Sequence, residues 1–223
     1  MRLHADFTQR VVVHASAIPW TPSPMPGVDR RMLDRVGEEV ARATSIVRYA
    51  PGSAFSAHTH TGGEEFLVLE GVFQDEHGDF PAGSYVRNPP GTSHTPGSAP
   101  GVTIFVKLWQ FQPGDTHPVS LRPQDIELRG DPQRPGVRSA VLHRDPWERV
   151  RLEQWEAHAE VVIPQHDGLE ILVLQGSFKE GADTLVERSW LRLPPGQALR
   201  ARAGQGGARV WLKQDHLKHV RIP

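Results

Sequence analysis

Residues 65–73 read Glu65-Phe66-Leu67-Val68-Leu69-Glu70-Gly71-Val72-Phe73, and residues 170–178 read Glu170-Ile171-Leu172-Val173-Leu174-Gln175-Gly176-Ser177-Phe178. Each is an acid, four apolar residues, a polar residue, a glycine and, two places on, a phenylalanine. Runs of this length, rich in β-branched and aromatic residues and punctuated by glycine, read as strands. The two lie 105 residues apart (170 − 65). The same offset carries Pro89-Pro90-Gly91 onto Pro194-Pro195-Gly196, each preceded by an aromatic-containing strand, around Tyr85 and Trp190. Upstream, His14 through Pro19-Trp20 is echoed, two residues shorter, by His143 through Pro146-Trp147. Matches that recur in one order point to an internal duplication.

Working outward, the turn formers Gln112-Pro113-Gly114-Asp115 and Gly130 to Gly136 separate the copies. The expected organisation is a first domain over residues 1–112, a linker over 113–132 and a second domain over 133–223. Within the linker, Val119 to Leu128 could form a strand crossing to the other half. Ser45 to Tyr49, Val102 to Trp109 and Arg209 to Leu212 also read as strands, whereas Met32 to Ala43 reads as either a short helix or a strand pair. Twenty prolines and 21 glycines in 223 residues agree with many short strands joined by tight turns. The fold class is therefore all-β.

Composition excludes several kinds of chemistry. Without cysteine there can be no disulfide, thiolate nucleophile, Fe–S cluster or cysteine zinc site, so a metal must be held by His, Asp or Glu. Twenty-five basic and 26 acidic side chains, with neither sign in a long block, give no electrostatic reason to bind nucleic acid or an anionic membrane. The N-terminus, Met1 to Asp6, lacks a secretory apolar core, and no stretch reaches the ~20 apolar residues of a membrane span. A cytoplasmic location is expected.

Chemistry is concentrated in Gly52-Ser53-Ala54-Phe55-Ser56-Ala57-His58-Thr59-His60-Thr61-Gly62-Gly63-Glu64, followed after six residues by Gly71. On a strand His58 and His60 share a face, and Glu64 joins them if the Gly62-Gly63 turn keeps the parity. Two imidazoles and a carboxylate suit zinc, Fe(II), Mn(II) or Ni(II) better than calcium or magnesium, which prefer oxygen ligands. A fourth ligand has to come from elsewhere. Pro89-Pro90-Gly91 is a rigid turn that can deliver His94 from a neighbouring strand.

These residues resemble the cupin superfamily. Gly52 to Gly71 is similar to the first cupin motif at every defined spacing, and Gly83 to His94 to the second through its histidine, with Ser98 standing where the family commonly has Asn. The resemblance implies two tandem jelly-roll-like barrels, with one divalent metal in the mouth of the first, ligated by His58, His60, Glu64 and His94. More narrowly, Tyr49-Ala50-Pro51-Gly52 through Glu65 and Asn88 through His94 resemble the cupin half of the ChrR-type anti-sigma factors. That family implies a zinc-binding sensory module attached behind a helical zinc domain that holds the sigma factor. Residues 1–51, with Val11-Val12-Val13 and the Pro-rich turns Pro19 to Pro26, read as strand and loop, and there is no cysteine for the helical domain's zinc site. Direct sigma-factor binding is accordingly not expected from this chain alone.

In the second copy the 105-residue offset puts Ile163, Gln165, Leu169 and Leu199 where His58, His60, Glu64 and His94 stand. No metal is expected there, although His166 and Glu170 keep the His60-to-Glu64 spacing one residue later. Tyr85, Lys107, Trp109 and Gln110 are candidates for supporting the first site, against ordinary roles in packing or as surface charge. Two functions fit: a ChrR-like module that binds a metal and a ligand, and a metal-dependent dioxygenase acting on a small oxygenated substrate such as a β-diketone. The sequence identifies no general acid or base. The expected partner is a small molecule or another protein, a second copy of the chain among the candidates, and neither nucleic acid nor membrane.

Overall fold

The computed structural model describes residues 1–38 and 40–223. Among the described residues the secondary structure is β-strand apart from two 3-10 turns, Ala15–Ala17 and Pro123–Asp125, and no helix is long and apolar enough to cross a membrane. The span Met32 to Ala43 is a strand pair: Val28–Gly37 runs antiparallel to Ala41–Tyr49 with one register shift between Met32 and Asp34. Glu39, inside that span, lies outside the described residues.

The chain forms two compact units, one of residues 1–5, 19–125 and 221–223, the other of residues 6–18 and 126–220. In the first, the main sheet runs Arg2–Leu3, Val28–Gly37, Ala41–Tyr49, Val102–Leu108, Glu64–Asp75, Tyr85–Asn88, Val119–Leu121. Short pairs, His58–Thr59 with Ser93–His94 and Ser53–Ala54 with Gly97–Ser98, hold the site segments. In the second unit the order is Arg129–Gly130, Val137–Arg144, Arg149–Trp155, Leu199–Gln214, Leu169–Glu180, Ser189–Leu193, Val11–His14.

The duplication is visible in the pairing. Tyr85 lies opposite Leu67, as Trp190 lies opposite Leu172, and Arg87 opposite Glu65, as Arg192 lies opposite Glu170. Gly71 and Gly176 bend their strands at φ 72° and 73°. A Cβ at Gly71 would lie 2.0 Å from the carbonyl oxygen of Gly101, and one at Gly176 would lie 2.2 Å from that of Gly207. The glycine that closes both apolar runs is thus required by a close backbone crossing as well as by its left-handed conformation.

The units cut the chain differently from the copies. Residues 1–112 and 133–223 were the expected domains, yet the strand Val11–His14 pairs with Ser189–Arg192 in the second unit. Within the expected linker 113–132, Val119–Leu121 stays with the first copy, on Tyr85–Arg87, and Arg129–Gly130 pairs with Arg138–Ser139 in the second unit. The reason is common to both units. Without such a partner, Tyr85–Asn88 and Ser189–Leu193 would be open sheet edges with unpaired backbone groups.

Candidate metal centre

His58 and His94 face each other across the short strand pair, which puts their side chains on one side of it. His60 follows two residues after His58 and its carbonyl accepts a hydrogen bond from Gly91 N–H at 2.8 Å, so the Pro89-Pro90-Gly91 turn is bound directly to the histidine segment. The donor atoms of His58, His60 and His94 all lie within 4.8 Å of one another, with ring centroids 4.6–5.0 Å apart and the planes nearly perpendicular. This triad can bind a metal ion. Glu64 begins the next strand, its Oε2 3.3 Å from His60 Nε2 and 3.7 Å from His94 Nε2.

Each imidazole is oriented through its other nitrogen. His94 Nδ1 lies 3.2 Å from Asp75 Oδ2, and His58 Nδ1 lies 3.4 Å from the Ser56 carbonyl, both of which can only accept. Thr92 Oγ1 donates to the Pro89 carbonyl at 2.7 Å, so at 3.2 Å it is placed to accept from His60 Nδ1–H. In all three the proton sits on Nδ1 and the Nε2 lone pair is left for a cation, the usual arrangement around a metal-bound histidine. His60 Nε2 is fully buried and has no hydrogen-bond partner, which in a folded protein calls for a ligand. The residues present fit a divalent ion.

The electrostatics differ between two of the rings. Burial would lower the His94 pKa, but its hydrogen bond to Asp75 and the charges of Glu64 and Asp75 outweigh it and hold the pKa above the ordinary value. Burial lowers that of His60, helped by His94 and His58 and opposed by Glu64. Asp75 shows the reciprocal effect: burial would raise its pKa, and its hydrogen bonds to His94 and to the His77 amide bring it down instead.

The Gly62-Gly63 turn exists for packing. A Cβ at Gly62 would lie 2.0 Å from the Trp109 ring, and one at Gly63 would lie 2.3 Å from the Phe111 ring. Trp109 itself has φ 58° and donates its N–H to the Gly63 carbonyl at 3.2 Å. Two aromatic rings therefore clamp the turn that carries Glu64. Cavities of about 290 and 200 Å³ both reach His58 and Glu64, the larger under Trp109 and the smaller inside the barrel against Tyr49, Val47 and Ile104.

Of the four proposed supporting residues, Trp109 alone lines one of these two cavities. Tyr85 donates to Glu65 Oε1 at 2.7 Å, and Lys107 and Gln110 donate to Thr44 Oγ1 at 2.9 and 3.1 Å, all in buried positions. Glu65, adjacent to Glu64 on the strand, faces the other way, and these groups gather with it and with Thr44 on that side. Sequence reasoning missed Asp75, Thr92 and Asn88, whose Nδ2 donates to Glu64 Oε2 at 3.3 Å. Thr92 and Asn88 flank the Pro-Pro-Gly turn and could have been read from it. Asp75 could not, because its approach to His94 depends on how far the strand Glu64–Asp75 runs past its bend.

In the second unit, Ile163 faces Leu199 as His58 faces His94. Ile163, Leu169 and Leu199 are buried in one apolar cluster with Val161, Ile171 and Leu193. His166, not Gln165, repeats the backbone contact of His60: its carbonyl accepts from Gly196 N–H at 2.9 Å. Glu170 turns away and lies 2.8 Å from His216 Nε2, so the His166 and Glu170 pair does not form the alternative site.

Antiparallel barrels of this kind are the cupin fold, and the chain carries two in tandem, the first with a histidine cluster. Residues 8–112 match the family described as ChrR cupin-like domain. No curated protein sequence matches the chain. Among solved structures, a protein provisionally described as a dioxygenase, from Nostoc punctiforme, superposes with TM-score 0.79 at 16% identity, over 97% of this chain and 86% of that one. The bacterial pirin YhhW from Escherichia coli, in complex with nickel(II), gives 0.66 at 16% identity, over 92% and 98%. An oxalate decarboxylase formate complex from Lactobacillus farciminis gives 0.67 at 10% identity, over 92% and 85%. At these identities the likeness is one of fold.

Proposed function

We propose that the first barrel is a ChrR-like binding module that holds one divalent metal ion through His58, His60, Glu64 and His94 and takes a small molecule beside it. The observation that carries this reading is the convergence of three imidazoles, each with its Nδ1 engaged, with the Glu64 carboxylate against two of them and bordering two cavities. A purely structural site would have no need of cavities at its ligands. Zinc suits the set because it tolerates three nitrogens and one oxygen and requires no redox partner. Nickel, iron and manganese accept the same donors, and a pirin of the same fold was solved with nickel(II). A bound ion would supply Lewis acidity to an oxygen of the ligand. The protein's own residues do the rest: Asp75, Thr92 and Ser56 hold the imidazoles in place, and Asn88 holds Glu64.

A second reading is a metal-dependent dioxygenase acting on a small oxygenated substrate such as a β-diketone, supported by the apolar cavity that reaches His58 and Glu64. Metal analysis of protein purified without chelator, paired with oxygen uptake on a panel of diketones and catechols, separates the two. Zinc without turnover supports the module, and iron with oxygen uptake supports the enzyme. A chain that takes up no divalent metal would overturn both.

A further inference from the structure

The inner cavity contains a charge that the metal reading does not use. Arg30 lies on the strand Val28–Gly37 opposite Val47, which lies opposite Ile104, which in turn lies opposite Val68. Residues directly opposite one another across adjacent strands share a face of the sheet. Val68 and Ile104 are core residues, each 1% exposed, so this row looks into the barrel and Arg30 is an arginine on the core face. Its neighbours confirm the alternation. Arg31 and Arg48 stack on Trp20, with Arg48 also paired to Asp29, and Trp20, Arg31 and Arg48 belong to the other face. Arg30 lines the cavity of about 200 Å³ that also touches His58 and Glu64.

Among the described residues the Arg30 side chain makes neither a hydrogen bond nor an ion pair, and its Nε is fully buried without a partner. Arg30 is half-buried, and an unpaired guanidinium on a cavity wall is a ready anchor for an anion. Tyr49 lines the same cavity, and burial with the nearby Glu64 charge pushes its pKa well above the usual phenol range, so it stays neutral. The rest of the wall is mostly apolar, including Val28, Val47, Phe55, Ile104 and Val106, with Ser23, His58 and Glu64 as its other polar residues.

We propose that this cavity binds a small organic acid with an apolar body, its carboxylate anchored on Arg30. The planar fork of arginine matches a carboxylate in two-point contact, and the apolar wall receives the body. The volume is below the ~300 Å³ at which ordinary drug-sized sites begin, which restricts the ligand to something compact, such as a single ring bearing one carboxylate. The inference deepens the reading of the barrel as a metal-dependent binding module and rests on it only for what lies at the His58 end.

The test uses the full chain loaded with zinc, with benzoate as probe and benzamide as its neutral counterpart, by titration calorimetry. Benzoate should bind at least about tenfold more tightly than benzamide, the difference expected of one charge-assisted pair. Arg30→Met should remove that preference and leave the zinc content unchanged. Arg30→Lys, which keeps the charge and loses the fork, should fall between the two and guards against a folding defect in the first variant. Equal affinity for benzoate and benzamide, or unchanged benzoate affinity in both variants, would overturn the proposal, the latter because the carboxylate would then be held elsewhere, for instance on the metal. Zinc content, measured on the same samples, distinguishes the two failures. A chain that takes no zinc contradicts the metal reading, while the dependence of benzoate binding on Arg30 is still decided on that chain.

Discussion

Removing one ligand should be decisive at the scale of single residues. His94→Ala is expected to lose the bound ion on elemental analysis and to cancel the rise in melting temperature that added zinc produces, because binding to the folded chain stabilises it by mass action. Leu199→Ala, at the matching position of the second barrel, should leave metal content unchanged. Asp75→Asn tests the group behind the ligand. Its amide can still meet His94 Nδ1 but carries no charge, and metal affinity should fall by roughly 10- to 100-fold in a competition titration while the fold persists. Asp145 offers a pH test away from the site. Burial would raise its pKa, but its hydrogen bonds to His143 and to the backbone of Trp147 and Glu148 bring it down from 3.8 to about 2. A carboxyl whose pKa is lower folded than unfolded adds stability that is complete above the unfolded value and is lost as pH falls toward the folded one. Asp145→Asn should therefore be less stable than the parent chain at pH 5, with the gap closing between about pH 4 and pH 2 in urea unfolding.

Bends and edges matter most at the scale of elements. Gly71→Ala forces a Cβ against the Gly101 carbonyl and a left-handed φ on a residue with a side chain, and Gly176→Ala does the same against Gly207. Each should cost on the order of 1–3 kcal/mol in chemical denaturation. The edge strand Val11–His14 gives a different readout. Val12 packs on the core of the second barrel and lies opposite Leu191. Val12→Asp should release this strand and expose amides of Ser189–Leu193 to hydrogen exchange, while those of Tyr85–Asn88, covered by Val119–Leu121, remain protected. Protection that fell equally in both strands would show that the edge strands are not independent of one another.

Two copies of one fold have diverged in opposite ways across the whole molecule. One gathers three histidines at its mouth. The other fills the same positions with Ile163, Leu169 and Leu199 and closes them into an apolar core. The expected stoichiometry is one metal per chain, and two equivalents on elemental analysis would contradict the assignment to the first barrel.

Much of this was legible in the sequence. The all-β class followed from apolar runs cut by glycine and proline, and the duplication from the 105-residue echo. The histidine triad was legible from spacing, because His58, His60 and His94 lie within two short segments whose geometry is mostly local. The offset also named the residues that replace them in the second copy. Contacts between distant segments were not legible. Val11–His14 joins the second unit because a sheet edge there needs a partner, a demand invisible in the strand itself. Asp75 reaches His94 only because the strand Glu64–Asp75 continues past Gly71. Lys107 and Gln110 turned out to serve Thr44 and not the metal. Arg30 was hidden among Asp29, Arg30 and Arg31, where three charges in a row mask the alternation. Only pairing with Val47 and Ile104 decides which of them enters the barrel, since register across strands is set by the packing of the whole sheet.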